Sequence, residues 1–219
     1  TLWGPFVMNY SGLVLLAGAE TRWMRFSEGA LIEEGVGYPA PLENEGVAAI
    51  CPATDTTILS EFGTGLPRAQ AVAVAQRMSK DSLLTPIDEL HFAAGSCVAV
   101  VDRAEFAHWL AEMKSAGFDP CPIVPAQLVP VSSEASLTRA KIGSEIVLRG
   151  TGVACAWDPE FGDLLTKDHS VVHVAEPLVP TIIAEAGARA EVDLRQGSFA
   201  AQKLWASGAS FLRPCAGLA

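Results

Sequence analysis

The sequence has few positive charges and no long hydrophobic run. Its 219 residues include 15 Lys and Arg against 25 Asp and Glu, which gives a net charge of −10. This excess of negative charge disfavours sequence-independent binding to phosphate backbones and anionic lipid surfaces, so nucleic acid is not an expected partner. The longest strongly apolar stretches, such as Leu13–Ala19 and Val98–Val101, are far shorter than the roughly 18 residues of a membrane-spanning helix. We therefore expect no membrane span in this chain.

Cysteine is sparse and shows no paired spacing. The chain has five cysteines and no C-x-x-C motif: Cys51, Cys97, Cys121, Cys155 and Cys215. An odd number of scattered cysteines is typical of a reducing compartment and not of a disulfide framework. No basic segment followed by an apolar one opens the chain, so we expect no signal peptide.

Recognisable catalytic motifs are also missing. The chain contains neither G-x-S-x-G nor H-E-x-x-H. The glycine turn Gly63-Thr64-Gly65 continues as Leu66-Pro67-Arg68 and lacks the lysine of a Walker phosphate loop. His169 and His173 flank a valine pair that favours a strand, on which the two histidines would lie roughly 13 Å apart. The sequence therefore predicts no catalytic, cofactor-binding or metal-ligating residue.

Acidic residues form three local clusters, at Glu33-Glu34, Asp88-Glu89 and Asp158–Asp163. Such clusters are usually solvated faces, and a docking surface for a basic partner is the sharper alternative. The sequence leaves both interpretations open.

The N-terminal half alternates between strand and turn patterns. Half of all residues are apolar, which is enough for a globular core. The strands Leu13–Ala17, Thr21–Phe26 and Ala30–Val36 predict a three-stranded meander. Val47–Cys51 is predicted as a short buried strand, and Thr54–Phe62 is rich in β-forming residues.

A helical pattern follows from Pro67 to about Met78, and then two strands, Glu89–Ala94 and Cys97–Val101. Asp102 is a predicted N-cap, and Gly117 a predicted C′ residue, of a helix with an apolar stripe. That stripe consists of Phe106, Leu110 and Met113. A strand at Cys121–Val124 completes a β–α–β unit whose short loops favour parallel pairing of its two strands.

The pattern weakens after Pro130. Ser132–Ser136 is predicted as a linker to a second lobe. In that lobe a hairpin is expected from Glu145–Arg149 and Val153–Trp157, followed by a strand at Ser170–Val174.

Three blocks together resemble a known family. They are Thr85–Phe92, the run from Val100-Val101-Asp102-Arg103 through Ala116-Gly117-Phe118-Asp119 to Ile123-Val124-Pro125, and Asp193–Phe199. In order and spacing they resemble the cytoplasmic domain of the type II secretion system L protein. The second block resembles that family's "VDR, amphipathic helix, AGF-D, VLPD" run, and the third its "NLLxGxF" signature.

The resemblance implies an α/β fold of the actin-like ATPase superfamily, with RNase H-like lobes, mixed sheets and flanking helices, without a functional nucleotide site. It implies a first lobe over residues 1–130 with an inserted subdomain at about 52–94, and a second, smaller lobe over 131–219. In that family a transmembrane helix and a periplasmic domain follow. The chain, which stops at Ala219, is then expected to be the soluble cytoplasmic part.

The resemblance also implies a role and partners. Members of the family act as a non-catalytic scaffold at the cytoplasmic face of the bacterial inner membrane. By resemblance, this chain recruits the secretion ATPase through its N-terminal domain and links it to the M protein and the polytopic inner-membrane platform protein. A homodimer is left open. The alternatives are a nucleotide-binding actin-like adaptor of type IV pilus assembly and an actin-like kinase or ATPase.

Two features of the residues bear on these alternatives. Phosphate-binding hairpins of actin-like ATPases are rich in Gly, Asp and Thr, whereas the early turns here carry Glu20 and Glu28, which would repel a phosphate. The segment Asp55–Ala94 is expected to be an insertion that presents a surface. Its charged residues predicted to bind a partner are Lys80, Asp81, Asp88 and Glu89.

Overall fold

The computed structural model describes residues 11–62 and 65–201. The strands are β1 (Gly12–Leu16), β2 (Arg22–Ser27), β3 (Ala30–Val36), β4 (Val47–Cys51), β5 (Thr56–Leu59), β6 (Leu90–Ala94), β7 (Val98–Asp102), β8 (Ile123–Pro125), β9 (Leu137–Ile142), β10 (Glu145–Gly150), β11 (Val153–Ala156) and β12 (Val171–His173). The helices are α1 (Arg68–Ser79), α2 (Arg103–Ser115), α3 (Pro159–Thr166) and α4 (Val179–Ala188).

The first sheet has five strands in the order β3-β2-β1-β4-β8. The meander β1-β2-β3 is antiparallel, as its alternation predicted, and β4 and β8 run parallel to β1. Only β2 therefore runs antiparallel to the other four strands, which is the arrangement of an RNase H-like sheet. A second sheet, in the order β11-β10-β9-β12, repeats the first four positions of this arrangement, with β12 parallel to β9. These two related sheets are the α/β, actin-like architecture expected from the resemblance.

A third sheet, in the order β5-β7-β6, is built from the segment between β4 and β8. β7 pairs antiparallel with both of its neighbours, while β8 pairs with β4 in the first sheet. The predicted parallel β–α–β pairing of β7 with β8 is therefore wrong. The third sheet also includes β7, which follows residues 52–94 in the sequence. The expected insertion at about 52–94 and the division into lobes at residue 130 both stay predictions.

Both faces of the first sheet are covered. Along β1, Leu13 and Leu15 point into one core and Val14 and Leu16 into the other, because successive side chains alternate across a strand. The first core lies under α2 and includes residues of the third sheet. The second lies under α4 and includes residues of β9 and β10. Helix α2 therefore shares a core with the first and third sheets, and α4 shares one with the first and second sheets.

Helix α2 begins and ends as its sequence predicted. The Asp102 carboxylate accepts hydrogen bonds from the N–H groups of Ala104 at 2.8 Å and Glu105 at 2.9 Å. Gly117 has a φ of 90°, a left-handed conformation that favours glycine. The predicted stripe of Phe106, Leu110 and Met113 is buried in the first core.

Candidate functional site

The four charged residues predicted to bind a partner all lie in the connection between α1 and β6. Lys80 is the C-terminal cap of α1, and Asp81 follows it. Asp88 and Glu89 belong to a short 3-10 helix just before β6. All four side chains are exposed. The structure therefore places them in one surface segment, residues 80–89.

Apolar side chains anchor this 80–89 segment from below. Leu83 and Ile87 are half-buried against the core that α1 shares with β6 and β7. The Ser82 hydroxyl donates a hydrogen bond to the Ser79 carbonyl at 3.0 Å. Because the apolar side chains are held inward, the charged ones on either side face solvent.

Sequence reasoning missed the apolar part of this surface. Leu84 is fully exposed, Met78 is 66% exposed, and Val74, one turn before Met78 on α1, is also exposed. Exposed large apolar side chains next to charged ones are typical of protein interaction surfaces. In the sequence, Ala and Val are spread evenly around α1, so the sequence does not distinguish the buried face of this helix from its exposed face.

A cleft of about 850 Å³ lies between the first and second sheets. Its walls are the β1–β2 turn, the loop after β4, one face of α2 and the β9–β10 turn. Its charged lining residues are Glu20, Arg22, Asp55, Glu105, Glu112, Lys141 and Glu145, with His108 beside them. Carboxylates outnumber the Arg and Lys side chains there, so the cleft is predominantly negative.

The Glu145 carboxylate crosses this cleft. It accepts hydrogen bonds from the N–H groups of Ala53 at 2.6 Å and Thr54 at 3.0 Å, and from the Thr54 hydroxyl at 2.6 Å. These three donors at the end of β4 are therefore occupied by an anion that belongs to the chain itself.

Negative charge accumulates around the same point. Burial, together with the charges of Glu105 and Glu145, raises the pKa of the Asp55 carboxyl above its usual value. A polyphosphate entering the cleft would meet these carboxylates and would have to displace Glu145 from its donors. Of the two carboxylates of the early turns, Glu20 lines the cleft, whereas Glu28 is not among the lining residues.

The thiols are not poised for nucleophilic chemistry. Cys51, Cys97, Cys121 and Cys155 are free thiols, and Cys215 lies outside the described residues. Burial, followed by the neighbouring charge of Asp193, raises the pKa of Cys121 to about 11, and burial raises the pKa of the other three. Thiols with raised pKa values are largely protonated at neutral pH and react poorly.

Within residues 11–62 and 65–201, no three His, Cys, Asp or Glu side chains are grouped so that they could hold a metal ion. His173 lies on the short strand β12, and His169 lies in the turn before it. The Gly63-Thr64 part of the glycine turn lies outside the described residues.

The third motif of the resemblance, residues 193–199, joins the third sheet to the first. The Asp193 carboxylate accepts hydrogen bonds from the N–H groups of Ile123 at 3.0 Å and Arg195 at 2.9 Å. The Gln196 amide group bonds to the backbone of Ala94, accepting from its N–H at 3.2 Å and donating to its carbonyl at 3.0 Å. One short segment thus contacts both β8 and β6.

Aromatic packing completes this junction. His91 Nε2 donates a hydrogen bond to the Leu194 carbonyl at 2.8 Å, because a carbonyl oxygen only accepts. The His91 ring stacks on Phe106 at 5.4 Å, and Phe199 meets both rings edge-on. Residues 193–199 therefore hold the third sheet, from which the 80–89 segment projects, against the rest of the chain.

The chain is similar in sequence to a known protein. No protein-family model matches the chain. Type II secretion system protein L of Pectobacterium carotovorum subsp. carotovorum is 27% identical to it, over 71% of this chain and 45% of that protein. The chain therefore spans less than half the length of this curated relative.

Two solved structures resemble the fold. The cytoplasmic domain of EpsL, an inner membrane component of the type II secretion system of Vibrio cholerae, superposes with a TM-score of 0.70 at 17% identity, over 85% of this chain and 98% of that chain. A Bacteroides thetaiotaomicron protein with an actin-like ATPase fold and unknown function has a TM-score of only 0.42 at 7% identity, over 81% of this chain and 96% of that chain. The resemblance predicted from the motifs is thus confirmed: the chain is similar in sequence to type II secretion system protein L and in fold to the cytoplasmic domain of such a protein.

Proposed function

We propose that this chain is a non-catalytic scaffold domain of the type II secretion inner-membrane platform. The observation that carries the proposal is the joint likeness, in sequence and in fold, to protein L and its cytoplasmic domain. In this role the domain recruits the secretion ATPase, through the N-terminal domain of that enzyme, and connects it to the M protein and the polytopic platform protein. It acts at the cytoplasmic face of the inner membrane.

The surface of the inserted sheet supports the docking part of this proposal. The 80–89 segment combines exposed charge with the exposed apolar side chains of Met78 and Leu84. It is anchored to a packed sheet, so a partner would meet a pre-formed surface and not a loop that must be ordered on binding. Within the described part of the chain, no helix is both long and apolar enough to cross a membrane.

The central cleft weighs against the nucleotide-binding alternative. A volume of about 850 Å³ is large enough for a nucleotide, as small-molecule sites span roughly 300–1,000 Å³. However, the donors at the end of β4 already hold the Glu145 carboxylate, and further carboxylates line the walls. The proposal therefore assigns the cleft no phosphate ligand.

The deciding experiment measures both functions on the same preparation. The immobilised chain is exposed to the purified N-terminal domain of the cognate secretion ATPase, and the free chain is titrated with Mg²⁺-ATP in a calorimeter. We expect retention of the ATPase domain and no heat of nucleotide binding. Failure to retain the ATPase domain at tens of micromolar would reject the scaffold role, and micromolar ATP binding would favour the pilus-type adaptor.

A further inference from the structure

The outer edge of β3 is an exposed sheet edge with apolar side chains. β3 is the last strand of the first sheet, and none of the described residues pairs with its outer side. Ile32 is 60% exposed, Val36 is 58% exposed, and Leu31 is also exposed. Unpaired N–H and C=O groups beside exposed apolar side chains are a template onto which another strand can add.

Apolar side chains are also exposed in the segment that follows β3. The segment that follows β3 exposes Leu42 as well, and Tyr38, which stacks on Phe118 at 6.1 Å, is partly exposed. Natural proteins usually protect a long sheet edge with charge, proline or a covering element. Among the described residues, β3 carries two protective features, the acidic pair Glu33-Glu34 at its centre and a bulge at Ile32, where the register of the β2–β3 pairing shifts.

The acidic pair disfavours a second copy of this chain as the partner strand, because every register about the strand centres sets like charges against each other. In an antiparallel pairing of two β3 strands about their centres, Glu33 would face either Glu33 or Glu34 of the other copy, or Glu34 would face its own equivalent. Like charges directly opposite each other across a strand pair are destabilising. Every central register therefore carries facing carboxylates.

The positions of the two carboxylates indicate which residues a complementary partner strand would carry. Glu33 makes an ion pair with Arg25 at 2.8 Å on one face of the sheet, and its side chain is still 58% exposed. Glu34 is exposed on the other face, where it lies opposite Met24 in the strand register. A complementary strand needs two adjacent basic residues, one for each face, flanked by apolar or β-branched residues that cover Leu31, Ile32 and Val36.

We propose that the outer edge of β3 binds an extended partner segment in which a pair of adjacent basic residues is flanked by apolar ones, by adding that segment as a sixth strand. This site lies on a different sheet from the 80–89 segment and does not depend on the function proposed above.

The test uses a fluorescent peptide, Val-Thr-Val-Lys-Lys-Val-Thr-Val, followed by anisotropy on the whole chain. Control peptides carry Glu-Glu in place of Lys-Lys, or N-methylated backbone amides that cannot pair. We expect saturable binding of the Lys-Lys peptide and binding of neither control. Equal binding of all three peptides, or of none, would overturn the proposal.

The variant Glu34→Lys should change peptide binding and self-association in opposite directions. It should weaken binding of the Lys-Lys peptide by about tenfold, since an attractive pair becomes a repulsive one. It should also promote dimerisation, because antiparallel self-pairing now sets the introduced lysine of each copy against Glu33 of the other. The matched control Glu134→Lys makes the same change of charge at an exposed loop residue and should stay monomeric with nearly unchanged peptide binding.

Sedimentation velocity gives the oligomeric state of each variant. A wild-type chain that already dimerises through β3 would overturn the proposal in favour of a second copy. So would peptide binding that requires prior removal of residues 1–10, because the edge would then be covered by the chain itself. A folded, monomeric Glu34→Lys variant that binds the Lys-Lys peptide like the wild type would also reject it.

Discussion

Glu145 and Thr54 are joined by two hydrogen bonds across the central cleft, to the Thr54 N–H at 3.0 Å and to its hydroxyl at 2.6 Å. Glu145 is the first residue of β10, and Thr54 lies in the loop after β4. The contact therefore connects the first and second sheets across the central cleft.

Replacing Glu145 should weaken this connection. In Glu145→Ala the Ala53 and Thr54 N–H groups lose their acceptor, and water replaces it only in part. We expect the free energy of unfolding to fall by about 1–2 kcal/mol, measured by urea denaturation. Glu134→Ala, which removes an exposed carboxylate from a loop, is the control. Identical urea midpoints for the two variants would show that the cross-cleft contact adds nothing to stability.

The packing of α2 makes a larger stability prediction. Leu110 is buried in the core shared by the first and third sheets. Leu110→Ala leaves a cavity there and should destabilise the chain by roughly 2–5 kcal/mol, as for other large-to-small core changes. Lys114→Ala, on the exposed side of the same helix, is the matched control. A Leu110→Ala variant that melts within a degree of the wild type would contradict the described packing.

The elements with local signals could be predicted from the sequence. The meander follows from alternation and tight turns, and α2 follows from its cap, stripe and terminal glycine. α4 was missed because its residues are apolar almost all round, so no helical period shows. β9 was missed because polar side chains interrupt its apolar pattern. One of them, Arg139, lies over the Trp157 ring at 4.2 Å, so a polar residue there does not indicate a loop.

Long-range relationships could not be predicted in this way. Strand composition does not identify a pairing partner, and loop length alone pairs β7 with β8, although β7 pairs with β5 and β6. Glu145 meets the end of β4 across 91 residues of sequence, and no local pattern marks it. In the 80–89 segment the charged residues were expected to be exposed, but the exposure of Leu84 depends on which apolar side chains fit into the core of the third sheet.

A pH dependence follows from His91. Burial, partly offset by its bond to the Leu194 carbonyl, lowers the pKa of His91 below its ordinary value of 6.5. As pH falls through about 6.5, the unfolded chain takes up a proton that the folded chain refuses, so this residue makes folding less favourable at lower pH. We expect His91→Gln to be less stable than the wild type at pH 7.5 but to lose less stability between pH 7.5 and 5.5.

Urea denaturation at several pH values checks this. Gln70→Ala replaces an exposed, uncharged side chain on α1 and should keep the pH dependence of the wild type. If His91→Gln and the wild type lose the same stability over this range, protonation of His91 does not contribute to it.

The role of the 80–89 segment in docking can be tested through the rate of association with the ATPase N-terminal domain. Long-range attraction between an acidic protein and a basic face speeds encounter at low salt and is screened at high salt. If Asp88 and Glu89 face that partner, the double variant Asp88→Lys/Glu89→Lys should bind several-fold more slowly at low ionic strength, with a smaller salt dependence than the wild type. Stopped-flow or surface-binding rates at about 20 and 300 mM salt measure both quantities.

The control Glu134→Lys/Asp168→Lys makes the same change in net charge at exposed residues outside the segment. If both double variants slow association equally, only the net charge matters and the interface lies elsewhere. If neither does, charge does not guide this encounter.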